Sequence, residues 1–343
     1  MIICSGAVRL SAPPIGHSGE FGKGVWVLTK TQLASDEIAR AAWHLRAGRL
    51  VAFPTETVYG LGADATQGAA VAAIFAAKGR PRINPLIMHV ANEDAARELG
   101  KFGPLAGKFA AAFWPGPLTL VVPRLEHCQV SELATAGLGT IALRVPAHPV
   151  AAALLREARV PIAAPSANRS GHVSATRAEH VRADLGDAVA MILDGGPTQV
   201  GLESSVVDAT GERPVLLRAG AITAAQIAAI VGAEPARAHE GGAHPVSPGQ
   251  MLAHYAPRAG LRLGATSVLP GEALLAFGLA PPNTMGPILN LSPTGDLTEA
   301  AANLFAHLRA LDAEGVGVIA VMPVPDIGLG EAINDRLTRA ARR

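Results

Sequence analysis

Short apolar runs alternate along the first two thirds of the chain with segments whose apolar residues recur at helical spacing. The apolar runs predict buried strands at residues 24–30, 50–53, 85–90, 118–122, 140–145, 161–164, 188–193, 204–208 and 215–218. The helical spacing predicts helices at residues 35–47, 69–77, 105–113, 149–158, from 177 onward, and 224–231. Strands and helices in this alternation indicate an α/β protein with an open sheet and helices packed on it.

The pattern is interrupted once and then restarts. Residues 233–248 carry Gly, Pro, Ala and His without periodicity, which is typical of a linker. From residue 260 onward, strands are predicted at 273–277, 288–291 and 318–321 and helices at 297–311 and 331–341, which together indicate a small parallel α/β unit. We therefore expect a poorly ordered extension, a larger domain, a linker and a second domain, at residues 1–29, 30–234, 235–259 and 260–343.

The polar stretch at residues 54–62, with the sequence PTETVYGLG, lies between a predicted strand and a predicted helix. A strand, a tight polar turn and a helix in this order form a ligand-binding corner in many α/β proteins. Its glycines allow the backbone to approach a ligand closely, and its hydroxyls supply hydrogen-bond partners. We therefore expect the functional site to include this corner.

The composition excludes several classes of protein. Of the 343 residues, 49% are hydrophobic and 17% are charged, so the chain is not a disordered one. The net charge of +1 argues against a large electrostatic footprint for nucleic acid. Cys4 and Cys128 have no metal-ligand spacing and suggest no disulfide framework, which fits a reducing cytoplasm. No run reaches the roughly 18 apolar residues that span a bilayer, so we expect a cytoplasmic protein without a membrane partner.

Four cations lie at or near the ends of predicted strands and helices: Lys78, Arg80, Arg144 and Arg218. Such a group suits a polyanionic ligand, for example a nucleoside triphosphate. The alternatives are an ordinary basic helix end for the first two residues and structural ion pairs for the last two. The sequence has no Walker-type GxxxxGK[ST], no GxGxxG after a strand and no HExxH. Any phosphate chemistry therefore belongs to a different type of site.

Several polar residues allow both a binding and a structural interpretation. The loop at residues 165–171, PSANRSG, follows a strand and offers hydroxyl, amide and cationic groups, although it is also compatible with a polar turn. His89 is either a ligand contact or a core histidine. Tyr255 ends the linker and is either part of a lid or an aromatic contact with the second domain. Glu203 and Glu56 are the acids best placed to help hold a metal ion.

At these residues the chain resembles the long form of the L-threonylcarbamoyladenylate synthase family. That family joins a YrdC-like domain, with a twisted open mixed sheet and helices, to a small Rossmann-like parallel α/β domain. The resemblance runs from about residue 31 to the C-terminus. It is specific because many short sequence motifs of the family occur in the same order along this chain. The blocks are PTETVYGLG (54–62), KGRPRINPLIMHV (78–90), FWPGPLTLVV (113–122), ALRVP (142–146), APSANRSGHVSAT (164–176), LDGG (193–196), ESSVVD (203–208), LLRAG (216–220), SPGQMLAHYAP (247–257) and GLGEAINDRL (328–337).

The resemblance implies a nucleotidyltransferase that forms threonylcarbamoyl-AMP and pyrophosphate from L-threonine, bicarbonate or carbon dioxide, and ATP with Mg²⁺ held mainly by the ATP phosphates. Partner proteins then transfer the threonylcarbamoyl group to N6 of adenosine 37 in tRNA. By motif match, the residues expected to contact threonine are Thr57, His89, Arg144 and Ser204. Those expected to contact ATP are Arg80, Asn84, Thr140, Ser166, Ser174, Arg218 and Tyr255. The catalytic KxR…SxN signature of the family is matched by Lys78, Arg80, Ser166 and Asn168.

Two departures from the family pattern and two other functions are also considered. Ala253 stands where family linkers often carry a basic residue, and residues 1–25 have no recognised counterpart. One alternative function is an RNA-binding or ribosome-maturation module of the YrdC-like fold without synthase activity. The other is a carbamoyl-transfer domain of the hydrogenase-maturation type, against which the lack of CxxC pairs counts.

Overall fold

Ten strands of the described chain pair into one large mixed sheet. The computed structural model describes residues 35–81, 83–238, 254–281 and 285–342, and Gln32–Arg343 form one compact unit. The strands are β1 (Val51–Pro54), β2 (Tyr59–Asp64), β3 (Ile87–His89), β4 (Leu118–Pro123), β5 (Thr140–Arg144), β6 (Ile162–Ala163), β7 (Met191–Ile192), β8 (Ser205–Asp208), β9 (Val215–Arg218) and β10 (Ala236–Arg237). Their order across the sheet is β10-β9-β8-β4-β5-β3-β6-β2-β1-β7.

Helices cover both faces of this sheet. They are α1 (Ser35–Arg46), α2 (Gly68–Lys78), α3 (Glu93–Arg97), α4 (Pro104–Phe113), α5 (Glu132–Thr135), α6 (Pro149–Ala158), α7 (Ala178–Leu185) and α8 (Ala224–Val231). Alternate residues of β1 belong to different core clusters: Val51 and Phe53 pack with α1 and α6, whereas Ala52 packs with α2. The strand is therefore buried on both faces, as its unbroken apolar sequence predicts.

The pairing of the central strands brings polar side chains together. β3 runs parallel to β5 and antiparallel to β6, with His89 opposite both Arg144 and Ile162. β4 pairs in parallel with β8, and β8 pairs antiparallel with β9, which confirms the predicted hairpin. A histidine and an arginine thus lie side by side at the carboxyl ends of neighbouring parallel strands, where α/β proteins bind ligands.

The predicted strand–turn–helix corner is a β-hairpin followed by a helix. β1 and β2 pair antiparallel, with Pro54 opposite Tyr59, and α2 begins only at Gly68. The prediction was wrong in assigning residues 59–62 to the turn. The error arises from the sequence YGLG. Glycine is a poor strand former, so two glycines in this segment indicate a turn rather than a strand.

Four parallel strands form a second, smaller sheet in the described part of the C-terminal region. They are β11 (Gly260–Leu263), β12 (Ala273–Ala276), β13 (Ile288–Asn290) and β14 (Val318–Val321), in the order β11-β14-β12-β13. Two further helices belong here, α9 (Leu297–Ala313) and α10 (Leu329–Ala341). The predicted small parallel α/β unit is confirmed. No helix in the described ranges of the chain is long and apolar enough to cross a bilayer.

The C-terminal unit shares a hydrophobic core with the first domain. Val58, Val173 and Leu202 from the first domain pack in one cluster with residues of α9, including Phe305. The backbones also approach closely, because a Cβ atom on Gly201 would lie 2.3 Å from the carbonyl oxygen of Ala301 in α9. Only glycine fits at such a contact.

Parts of the prediction fall on residues that the structure does not describe. The strand at 24–30, the extension at 1–29, Ala253 and most of the linker lie outside the described residues. The first linker residues that are described form β10 and pair in parallel with β9. These residues therefore extend the large sheet, although the prediction assigned them to the linker.

Candidate active site

A cavity opens where the β1–β2 hairpin, the central strands and the end of the linker meet. It encloses about 570 Å³ of empty space, including its solvent-open mouth. Predicted site residues that line it are Thr57, Arg80, His89, Arg144, Ser166, Ser204, Arg218 and Tyr255. The structure thus brings together residues that are up to about two hundred positions apart in sequence.

Hydroxyl groups fix the turn of the β1–β2 hairpin. The Thr55 hydroxyl donates to the Val58 carbonyl at 2.6 Å and accepts from the Val58 amide at 3.2 Å. The Thr55 and Thr57 hydroxyls are 2.7 Å apart. Thr57 is fully buried and lines the cavity. Sequence reasoning selected Thr57 but missed Thr55, whose side chain shapes the turn in the way that threonine does in many local turns.

Glu56 and Arg144 form a buried ion pair beside the hairpin. Their side chains approach to 2.7 Å and each is about one twentieth exposed. The second carboxylate oxygen of Glu56 accepts from the Ala147 amide at 3.1 Å. Both oxygens therefore already have protein partners, and a role for Glu56 in holding a metal ion stays a prediction. Arg144 is ion-paired, as its structural interpretation expects, and it also lines the cavity, while its contact with a ligand stays a prediction.

His89 is a buried, neutral imidazole in the wall of the cavity. Burial and the nearby Arg144 charge lower its pKa to about 3. Its ring packs edge-on against Phe53, with ring centres 6.1 Å apart. Its Nδ1 atom has no hydrogen-bond partner among the described residues. A buried polar atom without a protein partner is costly, so this nitrogen is a candidate contact for a ligand.

The KxR segment contributes two buried cations with different surroundings. The Lys78 ammonium donates to the carbonyl oxygens of Ser166 and Asn168 and does not line the cavity, so it holds the loop that follows β6. Arg80 does line the cavity, and its guanidinium donates to the Pro85 carbonyl at 3.3 Å. Burial lowers the pKa of Arg80 to about 10. The side chain keeps its charge at neutral pH in spite of this desolvation.

Two amide side chains next to these cations are buried and only partly satisfied. Both side-chain polar atoms of Asn84 and the Oδ1 atom of Asn168 have no hydrogen-bond partner within the described ranges, and the same holds for Nε of Arg80. The Nδ2 group of Asn168 donates to the carbonyls of Arg169 and His172, both at 2.8 Å. Neither amide lines the cavity as such. Ser166, in the same loop as Asn168, does line it.

Ser204 and Arg218 form the opposite wall, at the start of β8 and the end of β9. Arg218 donates to the Ser204 carbonyl at 2.8 and 3.0 Å and to its hydroxyl at 3.1 Å. The Ser204 hydroxyl is also 2.8 Å from that of Thr119. A Cβ atom on Gly220 would lie 2.4 Å from the Glu203 carbonyl, so this glycine allows the two segments to touch.

Glu203 belongs to a buried network that includes the C-terminal helix. One of its oxygens accepts from the Ser174 hydroxyl at 2.5 Å, and the other accepts from Arg336 at 3.0 Å. Burial alone would raise the pKa of Glu203, but the charges of Arg336 and Arg218 hold it below its ordinary value. The carboxylate is ionised and fully engaged. A role for Glu203 in holding a metal ion stays a prediction, since both of its oxygens already have protein partners.

Sequence reasoning missed Arg336. Its side chain is fully buried, and it lies between Ile333, Leu337 and Ala340 on the buried face of α10. An arginine at helical spacing among buried apolar residues is a signal that the sequence did contain. Such a residue needs buried partners, and here they come from the other domain.

Tyr255 closes the cavity from the linker side and is only 2% exposed. Its ring stacks on Phe305 of α9 with ring centres 5.6 Å apart, and the His254 ring lies 4.1 Å away on another side. Its φ angle of 65° is in the left-handed region, which is rare for a bulky side chain. Residues in this region persist where surrounding contacts hold them. Tyr255 therefore lines the cavity and contacts the second domain, and its role as a lid stays a prediction.

The electrostatic field of the site is positive. The pKa of His254 falls well below its ordinary value because of burial and the charges of Arg80, Lys78, Arg336 and Arg218. The pKa of Lys78 also falls well below its usual range because of burial and the neighbouring Arg80. Such a site favours a polyanion, since an anionic ligand would compensate these charges.

Besides Asn84, two predicted ATP contacts do not line the cavity. Thr140 lies at the opposite end of β5 from Arg144, about 13 Å away at the usual rise of a strand, and does not line the cavity. Ser174 is buried against Glu203 rather than at the cavity surface. Roles for these two residues stay predictions. The described parts of the chain also contain no group of three or more His, Cys, Asp or Glu side chains that could hold a metal ion.

Family models account for nearly all of the chain beyond its first 43 residues. A model of the Sua5, YciO and YrdC group, described as "Telomere recombination", matches residues 44–220. A second model, described as "Threonylcarbamoyl-AMP synthase, C-terminal domain", matches residues 222–342.

Individual relatives match over most of their length. The chain is 42% identical to the threonylcarbamoyl-AMP synthase of Bacillus subtilis, over 89% of this chain and 93% of that protein. It is also 42% identical to the one from Pyrococcus abyssi, over 89% and 94% respectively. The crystal structure of P. abyssi Sua5 complexed with L-threonine has a TM-score of 0.84 at 38% identity, covering 91% of this chain and 96% of that one. The chain belongs to the threonylcarbamoyl-AMP synthase family.

Proposed function

We propose that this protein is a nucleotidyltransferase that forms threonylcarbamoyl-AMP and pyrophosphate from L-threonine, bicarbonate or carbon dioxide, and ATP. The observation that carries the proposal is the cavity itself, in which buried cations and buried polar atoms without protein partners are covered by an aromatic lid. Its positive field suits a triphosphate. Family membership supplies the identity of the substrates.

The threonine end of the cavity is assigned to Thr57, His89, Arg144 and Ser204. Arg144 is a fixed cation beside the hairpin and can pair with the carboxylate of the amino acid. Neutral His89 and the hydroxyls of Thr57 and Ser204 are hydrogen-bond partners for the amine and the side-chain hydroxyl.

The nucleotide end is assigned to the cations and amides around the KxR and SxN segments. Arg80 and Arg218 line the cavity, while Lys78 fixes the loop that carries Ser166 and Asn168. Asn84 offers an amide whose polar atoms have no partner in the described chain. These groups neutralise a triphosphate and orient its α-phosphorus.

The reaction needs positioning rather than a protein nucleophile. The amine of threonine adds to carbon dioxide and loses a proton, which gives a carbamate. A carbamate oxygen then attacks the α-phosphorus of ATP, a new P–O bond forms, the bond between the α-phosphorus and its bridging oxygen breaks, and pyrophosphate leaves with the electron pair. Tyr255 excludes water from the mixed anhydride that results.

Magnesium is expected to enter with the nucleotide. Glu56 and Glu203 are committed to arginines, so the described residues offer no carboxylate cage for the ion. A Mg²⁺ ion of this kind is bound mainly through substrate phosphates. The product would be used by partner proteins that modify adenosine 37 of tRNA, in the cytoplasm.

The proposal is tested by measuring pyrophosphate release from ATP by the full chain with Mg²⁺. Release should require both L-threonine and bicarbonate, and serine or valine should replace threonine poorly. Threonine-independent release, or none at all, would contradict the proposal. Salt-dependent tRNA binding without ATP binding would instead support the RNA-binding alternative.

A further inference from the structure

Arg336 is the point at which the C-terminal domain reaches the cavity. Its guanidinium donates from Nε to Glu203 at 3.0 Å and from Nη2 to the Ala219 carbonyl at 2.8 Å. It also donates from Nη1 to its neighbour Asp335 at 2.6 Å, and its Cζ atom lies 5.2 Å from the centre of the Tyr255 ring. One side chain of α10 therefore contacts Glu203 and Tyr255, which belong to different segments of the chain.

The partners of Arg336 are groups that shape the nucleotide end of the cavity. Glu203 and Tyr255 line it, and Ala219 directly follows Arg218. Glu203 is the carboxylate among the residues that line the cavity, and it is buried. A negative charge at this place repels a triphosphate unless a cation balances it. Arg336 supplies that balance from outside the cavity, since it does not line it.

We propose that Arg336 is a positioning residue through which the C-terminal domain prepares the nucleotide site: it neutralises Glu203 and holds the Arg218 segment and Tyr255 in place. The inference rests on the proposed function for the identity of the nucleotide. It gives the C-terminal domain an indirect role at a cavity to which its described residues contribute no lining side chain.

The arrangement predicts a selective kinetic defect. Removal of one partner of a buried ion pair leaves the other charge uncompensated. In Arg336→Met, the charge of Glu203 would act on the triphosphate, so the KM for ATP should rise about tenfold or more. The KM for threonine should rise less than the KM for ATP, because Thr57, His89 and Arg144 lie on other elements and only Ser204 adjoins Glu203.

The charge mechanism also predicts a rescue. The double variant Arg336→Met with Glu203→Gln has no uncompensated charge, and its KM for ATP should fall back to within about threefold of that of Glu203→Gln alone. Arg336→Lys keeps the charge but loses the planar fork, so its KM for ATP should lie between those of the wild type and Arg336→Met.

Glu331→Gln is the matched control. Glu331 lies on the same helix and forms an ion pair with Arg237 of β10, but it is partly exposed and does not line the cavity. This variant should leave both KM values unchanged. If Arg336→Met changes stability alone, or if the double variant is no better than the single one, the inference is overturned.

A binding measurement separates this inference from the proposed function. Isothermal titration of the full-length variants with a non-hydrolysable ATP analogue measures affinity without turnover. The affinity should fall about tenfold in Arg336→Met and recover in the double variant, as the KM for ATP does. Wild-type protein that binds the analogue but releases no pyrophosphate would contradict the proposed function and leave the Arg336 comparison intact. If the wild-type protein is active and both Arg336→Met and Arg336→Lys bind the analogue as tightly as the wild type, the inference is contradicted. The proposed function is then unaffected.

Discussion

Arg80 is a charged residue of the cavity lining whose burial lowers the stability of the folded protein. It is 8% exposed, its Nε has no partner among the described residues, and burial lowers its pKa to about 10. A desolvated charge of this kind destabilises the folded state. Active sites retain such groups because a ligand, rather than the protein, compensates them.

We therefore expect Arg80→Gln to separate activity from stability. Loss of charge-assisted hydrogen bonds worth about 1.5–3 kcal/mol each should lower kcat/KM for ATP by about 10- to 100-fold. The melting temperature should stay the same or rise, since a buried charge is removed. Pyrophosphate release and thermal melts would be compared with those of Arg213→Gln, which alters an exposed arginine in the β8–β9 turn. Normal activity in Arg80→Gln would contradict the assignment.

His89 makes a prediction about pH. Its pKa is about 3 in the folded protein and 6.5 in an unfolded chain, so between these values the unfolded state binds the additional proton. The free energy of unfolding should consequently fall as the pH drops below about 6.5, by about 2 kcal/mol at pH 5 relative to pH 7 for this residue.

Urea unfolding at pH 5 and pH 7 measures this difference. His89→Gln has no imidazole at this position, so its pH dependence should be weaker than that of the wild type by the amount stated. His127→Gln, which alters an exposed histidine, should keep the full dependence. An unchanged pH dependence in His89→Gln would show that the imidazole is not held neutral.

At the scale of elements, the close contact between the end of β9 and the start of β8 fixes one wall of the cavity. A Cβ atom on Gly220 would lie 2.4 Å from the Glu203 carbonyl and 2.6 Å from the Ser205 amide nitrogen. Both neighbours are backbone atoms, so they cannot rotate away as a flexible side chain can. The segment that carries Ser204 would have to move.

Gly220→Ala should therefore reduce both stability and activity. We expect a loss of about 1–3 kcal/mol in the free energy of unfolding, as for other overpacked sites, together with a rise in the KM values for threonine and ATP. Gly211→Ala, in the turn of the same hairpin, meets no atom within 4 Å and should behave as the wild type. Chemical denaturation and steady-state kinetics of the two variants test the close approach.

The elements also show what the sequence could and could not predict. Helices α6 and α8 begin and end where their periodicity and flanking residues indicate, because Pro149 and Thr223 mark their starts. Strand β2 was missed since its glycines disguise it, and β10 was missed because its two residues, Ala236 and Arg237, form no apolar run. Strands β6 and β7 are equally short but lie within predicted apolar runs. Ion pairs between distant segments, such as Glu56 with Arg144, depend on the tertiary fold, so the sequence left two interpretations open for Arg144.

At the scale of the whole molecule, the two domains share groups that are needed at one cavity. Tyr255 lies between a cavity formed by the first domain and the Phe305 ring of the second. A second bridge joins Arg309 of α9 to Asp184 of α7 at 2.7 Å, next to the Ser174 segment. A ligand that stabilises the closed cavity should consequently also stabilise the packing of α9 and α10 on the first domain.

This linkage predicts that substrates protect the C-terminal helices from hydrogen exchange. A ligand at about 100 times its dissociation constant stabilises the bound state by about 2.7 kcal/mol. If opening of α10 requires release of Arg336 from Glu203, exchange of its backbone amides should slow when threonine and a non-hydrolysable ATP analogue are added. Mass spectrometry of the full chain would measure α9 and α10 against α6, which packs on α1 and contributes no residue to the cavity lining.

The variant Arg336→Met tests whether the ligands protect α10 through this side chain or through stabilisation of the whole protein. Its β3 and β5 segments should still be protected by the ligands, because His89 and Arg144 remain in the cavity wall. Its α10 helix should lose most of the additional protection, since the bond to Glu203 and the contact with Tyr255 are gone. Equal protection of α10 in the variant and the wild type would mean that the domains are linked by their shared apolar core instead. In that case Phe305→Ala, rather than Arg336→Met, should uncouple them, because it removes the ring that stacks on Tyr255.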